Sequence, residues 1–227
     1  MIDPETALDR LHAQADPVRA AEMRAYHKVD RIYLGLSNPQ IDALVAEWRA
    51  DCSVEERVAL SGALWASGIH EAMIAAAKLL TQARLRPDDA AWALIAGWAE
   101  GFDGWAVADT AAAAGSRRLA ADPARLDLVE GWTQHPNMFT RRAALVMTLP
   151  WARLNNPKAA DLAVRERVLG WAAGYAEDRD WFIQKAVAWW LRDLSKHDAD
   201  RTRAWIAEHG DRLKPFARKE AQRLLAD

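Results

Sequence analysis

Trp105 and Asp109 lie four residues apart, so on a helix they share one face. The stretch that holds them, Phe102 to Asp109, is echoed by Phe139 to Val146 and by Phe182 to Trp189. In each, a Phe is followed four residues on by Ala, and the copies stand at offsets of 37 and 43 residues. Equivalent positions place Trp105, Arg142 and Lys185 in one row, and Asp109 and Trp189 in another. A carboxylate flanked by indoles and cations suits a cationic nucleobase held in an anionic duplex. The plainer reading stays open beside it: Asp109 and Arg142 as an ion pair tying adjacent repeats, with Phe139, Ala143 and Val146 as packing positions.

Repeats of this length point to stacked helical pairs of the HEAT or armadillo kind, which line up equivalent helices along one surface. The expected fold is therefore all-α: a right-handed α-solenoid of HEAT-like repeats with a concave groove, forming a single domain over residues 1–227. Apolar residues follow the 3, 4, 7 spacing of helices almost throughout. Asp3-Pro4 and Asp16-Pro17 read as helix starts, as do Asn38-Pro39, Pro87-Asp88, Asp122-Pro123 and Asn156-Pro157. Ser53-Val54-Glu55-Glu56 has the form of a capping box. Together they mark about a dozen helices on short connections. The segment Glu71 to Ala77 reads as an earlier, degraded copy of the repeat.

The 227 residues are 51% hydrophobic, enough for a sizeable core. A single cysteine, Cys52, cannot form an internal disulfide, which points to a reducing cytoplasm. The first residues have neither a basic stretch nor an apolar run, so no signal peptide is expected, and no apolar run reaches membrane-spanning length. The net charge of -2 divides unevenly. Residues 1–137 carry -7 and residues 138–227 carry +5, so the C-terminal part could face phosphates. The same charges also fit the solvated faces of amphipathic helices.

Among the twelve Trp residues, Trp92, Trp98, Trp132, Trp151, Trp171 and Trp205 sit at apolar helix positions and are expected in the core. Of the neighbours Trp189 and Trp190, about 100° apart on a helix, at most one lines the groove squarely. The six His residues show no metal-ligand spacing, and His70-Glu71 lacks the second His of a zinc protease. Phosphate-binding Gly loops and a GxSxG nucleophile elbow are absent from the sequence. Of the basic pairs Arg117-Arg118 and Arg141-Arg142, Arg118 is expected at the surface, whereas Arg142 follows the repeat row.

These residues resemble the AlkD-like DNA alkylation repair family, the HEAT-repeat DNA glycosylases. The most specific stretch is Trp181-Phe182-Ile183-Gln184-Lys185-Ala186, followed by Trp189 and then Leu191-Arg192. Arg141-Arg142-Ala143-Ala144 is similar to the family's Arg-Ala-Ala helix, and Trp105 with Asp109 to its Trp/Asp helix. Met23 to Lys28, followed by Tyr33-Leu34-Gly35, resembles the N-terminal Tyr-x-Lys and Leu-Gly segments. The chain departs from the family pattern at Ala106-Val107-Ala108, which is less polar, and at Asn38 to Asp42, which lacks basic residues.

The resemblance implies hydrolysis of the N-glycosidic bond of alkylated purines such as 3-methyladenine and 7-methylguanine in duplex DNA, without metal or organic cofactor. It gives Asp109 the catalytic carboxylate role and makes Trp105 and Trp189 the aromatic wall. Arg142 becomes a DNA contact, with Lys185, Tyr26, Lys28, Trp181 and Arg192 as further groove residues. The expected protein is a cytoplasmic, nucleoid-associated monomer whose partner is double-stranded DNA containing alkylated bases, with no membrane partner. A second reading is a non-catalytic HEAT-repeat module that binds unusual DNA structures or a protein partner.

Overall fold

The computed structural model describes residues 2–225, and among them every regular element is a helix. The chain divides between Ala121 and Asp122 into two compact units. The first holds α1 (Pro4–His12), α2 (Pro17–His27), α3 (Asn38–Asp51), α4 (Val54–Ala66), α5 (His70–Leu79), α6 (Asp89–Trp98) and α7 (Trp105–Ala121). The second holds α8 (Leu126–Gly131), α9 (Met138–Met147), α10 (Leu149–Ala152), α11 (Ala159–Gly174), α12 (Trp181–Ser195), α13 (Ala199–His209) and α14 (Pro215–Gln222). This is the expected all-α, helical-repeat architecture. None of the described helices is long and apolar enough to cross a membrane.

In the first unit α5 packs against α3, α4 and α7. All its residues but Lys78 are buried, and Ala72, Ala75, Ala76 and Ala77 present little side chain to their neighbours. Small residues at a crossing let helix axes approach closely. The segment read as a degraded repeat is thus the central helix of its unit. In the second unit α12 has the corresponding place, between α9 and α14 and against α10 and α13. Trp98, Trp132, Trp151, Trp171 and Trp205 are buried as expected, while Trp92 is half-buried. Trp190 is fully buried, and its Nε1–H donates to Thr148 Oγ1 at 3.2 Å. Its neighbour Trp189 stays half-exposed, which settles which of the two belongs to the core.

Local chemistry sets most helix starts. The Asp3 carboxylate accepts from the Thr6 N–H, and that of Asp16 from the N–H groups of Val18 and Arg19. Ser53 and Glu56 close the expected capping box. At α3 the cap is Ser37, boxed with Gln40, one residue before the expected Asn38. Asn156-Pro157 does not open α11, which begins at Ala159 behind Lys158 and Asp161. Likewise α6 starts at Asp89, two residues beyond Pro87. Asp122-Pro123 opens only a short 3-10 turn.

The repeat register also differs from the Phe-based alignment. Phe139 and Phe182 are the second residues of α9 and α12, whose N–H groups are capped by Asn137 and Asp180. Phe102 instead lies in extended backbone three residues before α7. Counted from helix starts, Trp105 matches Met138 and Trp181, while Asp109 matches Arg142 and Lys185. The pattern of buried positions along the three helices follows this count. A four-residue shift is close to one turn, so the same face is kept and only the level changes.

Arg118 is a correction. It is fully buried rather than at the surface, because its guanidinium donates to the carbonyls of Leu85 and Gln82 and pairs with Asp88 at 3.4 Å. The α5–α6 connection leaves those carbonyls facing the core, and a buried cation with several fixed donors satisfies them.

Glu71 on α5 is also fully buried, and its two carboxylate oxygens accept from the N–H groups of Leu34 at 2.9 Å and Gly35 at 2.8 Å. Gly35 has a φ of +86°, and a Cβ there would stand 2.3 Å from the Asp16 carbonyl, so only glycine fits. Glu71→Ala strands two backbone donors that water does not reach. It should lower unfolding free energy by about 3 kcal/mol, read as a fall in the urea midpoint with little change in slope.

Candidate active site and nucleic-acid interface

The first unit contains a cavity of ≈ 810 Å³ whose wall includes both Trp105 and Asp109 from the first turns of α7. The four-residue spacing therefore delivers both side chains to one face. Helix α2 adds Tyr26 and His27, α5 adds His70 and Lys78, and α3 adds a side of Ile41, Asp42 and Val45. Lys78 bonds Asp42 at 2.6 Å, so these opposite charges offset one another at the rim.

Behind Trp105 lies a cluster of rings. Tyr26 meets the indole edge-on at 6.2 Å, and His27 lies at 5.4 Å from it. The His27 ring stacks on Tyr33 at 5.8 Å and lies 4.7 Å from His70, which itself stacks on Tyr33 at 4.8 Å. Arg31 beside them pairs with Asp103 and donates to Met73 Sδ at 3.0 Å. Burial, reinforced by His27 and Arg31, holds the His70 imidazole down to about 3. Burial and Arg31 also hold His27 below the ordinary histidine value, with Glu71 opposing them. Burial raises the Tyr33 phenol. The rings behind the indole are accordingly uncharged at neutral pH, and the cavity presents a carboxylate against an apolar aromatic wall.

The second unit carries a ladder of alternating cations and aromatic rings along α12. The Lys185 ammonium lies 4.5 Å from the Trp181 ring centre and 5.1 Å from that of Trp189. On α9, the Arg142 guanidinium lies 4.9 Å from the Trp189 ring and 5.9 Å from Phe182. Arg142 is only 1% exposed and donates to the Phe182 carbonyl at 2.7 Å. Its charge thus orders the aromatic residues of α12. Trp181, 47% exposed, stacks on Phe216 of α14 at 6.0 Å. The base of α12 is fixed by buried Gln184, which donates to the carbonyls of Tyr175, Ala176 and Asp178 and accepts from the Lys214 N–H.

The structure thus brings Trp105, Asp109 and Tyr26 to one cavity in the first unit, and Arg142, Lys185, Trp181 and Trp189 to one ladder in the second. Two expected residues take other places. Lys28 ends α2 with a left-handed backbone (φ 56°) and an exposed side chain outside the cavity wall. Arg192 pairs with Glu220 and Asp193. Sequence reasoning missed the cluster of His27, Arg31, Tyr33 and His70. The pair His70-Glu71 was visible only as an incomplete metal motif, and His27 lies 43 residues before His70.

The sequence model of one family, described as "DNA alkylation repair enzyme", matches residues 7–225. No curated protein matches the sequence. Among solved structures, a "Predicted DNA alkylation repair enzyme" from Enterococcus faecalis is similar, with a TM-score of 0.79 at 22% identity, over 94% of this chain and 98% of that one. AlkD2 from Streptococcus mutans superposes with a TM-score of 0.63 at 16% identity, over 92% and 98% of the two chains. At these identities the likeness shows a shared fold.

The depressed value of His70 makes folding sensitive to acid. The unfolded chain takes up this proton near 6.5, while the folded chain resists it down to about 3. Stability from this group is complete above 6.5 and is lost as pH falls between the two values, by about 1.4 kcal/mol per pH unit. The thermal midpoint of His70→Phe should therefore fall less on acidification through this window than that of wild type. Calorimetry across the window measures the difference.

Proposed function

The chain belongs to the family of DNA alkylation repair enzymes, and we propose that within it this protein hydrolyses the N-glycosidic bond of cationic alkylated purines in duplex DNA. The observation that carries this reading is the placement of Asp109 and Trp105 in the wall of one cavity, backed by uncharged rings.

An N-alkylated purine such as 3-methyladenine or 7-methylguanine already bears a positive charge, so it leaves as a neutral base and needs no proton from the protein. The barrier lies in the charge that develops on the sugar as the bond lengthens. A fixed carboxylate opposes that charge most strongly where water is scarce, which is the role of Asp109. The same carboxylate accepts a hydrogen bond from water and aims it at the anomeric carbon. The indole of Trp105 adds a face that attracts cations, worth about 0.5–2 kcal/mol. Because His27 and His70 are neutral at physiological pH, neither repels the cationic base or sugar.

Binding falls to other groups. Residues 122–227 carry 18 Lys and Arg against 15 Asp and Glu, a balance of +3. Lys185, Trp181 and Trp189 supply a cation and aromatic surface suited to the DNA backbone. Arg142 helps hold this surface, through its bond to the Phe182 carbonyl and its place over the Trp189 ring. Arg192 and Lys28 are peripheral to this scheme. The substrate places the working protein with the chromosome, in the cytoplasm and on the nucleoid, where it acts as a monomer.

Asp109→Asn keeps the shape of the side chain and removes its charge. Release of 7-methylguanine and 3-methyladenine from methylated duplex, followed by chromatography, should fall by about two to three orders of magnitude. Affinity for undamaged duplex should be little changed. Full activity in this variant would overturn the assignment of the carboxylate. Binding should weaken steeply with salt, and Lys185→Ala should reduce the slope of log affinity against log salt by about one, as measured by anisotropy.

A further inference from the structure

The indole of Trp105 has two ring neighbours on α2, and they are not alike. Tyr26 touches it edge-on but is 70% exposed, so burial does not hold the phenol still. His27 is half-buried and is itself gripped, stacked on Tyr33 with planes 5° apart and set against the buried ring of His70. His70, His27 and Trp105 thus form a continuous line of rings from the core to the cavity wall.

We propose that His27 is a positioning residue for Trp105, and that it fills this place as the uncharged imidazole. The charged and titratable groups around it decide that state. From α2 and the following segment come Arg24, Arg31 and Tyr33. From α5 come His70 and Glu71, and from α7 and its approach Asp103 and Asp109. Glu71 is committed to two backbone N–H groups, and Asp103 to Arg31. An indole attracts a cation by about 0.5–2 kcal/mol, which favours protonation. The site nevertheless holds His27 below its ordinary value, so burial and Arg31 outweigh the indole. The site therefore disfavours the protonated ring, and a proton on His27 weakens its hold on Trp105.

This inference rests on the glycosylase reading for one of its two tests and stands without it in the other. In the first, the indole Nε1–H resonance of Trp105, assigned with Trp105→Phe, is followed by NMR from about pH 8 to about pH 5. His70, held to about 3, stays neutral over this range. The resonance should move in one titration below 6.5 in wild type and stay fixed in His27→Phe, which keeps a ring without a titrating nitrogen. His27→Met serves the same purpose should His27→Phe not fold. A resonance that is fixed in wild type, or that moves equally in the variant, overturns the proposal.

In the second test, release of 7-methylguanine is measured over the same pH range. kcat should fall on acidification in wild type more steeply than in His27→Phe. In His27→Ala it should be about ten- to a hundredfold lower at neutral pH with KM little changed, the signature of a misplaced catalytic group. Identical pH profiles in wild type and His27→Phe refute the idea. Absence of release from wild type refutes the glycosylase reading instead, and the NMR titration still decides the place of His27.

Discussion

The buried carboxylate of Glu71 is the interaction on which the first unit depends. A carboxylate removed from water is costly unless its oxygens find fixed donors. Here two consecutive backbone N–H groups supply them, at Leu34 and at a glycine that alone tolerates the required backbone. The pair ties the segment after α2 to the central helix α5. The Leu34 carbonyl in turn accepts from the Asp16 N–H at 2.8 Å, so the start of α2 is held by the same anchor. The position of His27 at the cavity wall, beside Trp105, follows from a carboxylate that is itself fully buried.

The second unit solves a similar problem with a cation. Arg142 is buried, yet its guanidinium has a carbonyl to donate to and two aromatic faces beside it. A planar, weakly hydrated guanidinium suits such a place better than an ammonium would. Lys185, between two indoles one turn away on either side, is half-buried and keeps its charge near solvent. Two basic residues of one repeat position therefore differ in setting: Arg142 is buried among rings, and Lys185 is half-buried between two indoles.

Much of this was legible in the chain. Helix identity, the caps at Asp3, Asp16 and Ser53, and the buried tryptophans follow from local propensity and apolar spacing. The shared face of Trp105 and Asp109 is a property of helical geometry alone. Family membership was readable in the Trp181–Arg192 stretch and agrees with the match over residues 7–225. The repeat register was less secure, because the Phe that marks α9 and α12 falls before the start of α7. A shift of nearly one turn preserves the apolar pattern, so periodicity cannot detect it.

The sequence by itself determined an all-helical repeat chain, and which helix faces carry a carboxylate, indoles and cations, because both are set by neighbours within four residues. Tertiary structure alone decided what those faces meet. Arg118 read as a surface charge, Arg142 as a groove residue and Glu71 as part of a degraded repeat, and all three became core groups only when distant carbonyls and N–H groups were brought to them. His27 and His70, far apart in the chain, acquired neutral, stacked rings only when α2 and α5 closed around them. Burial and charge environment are sums over residues from every packed element, and no local window of sequence contains that sum.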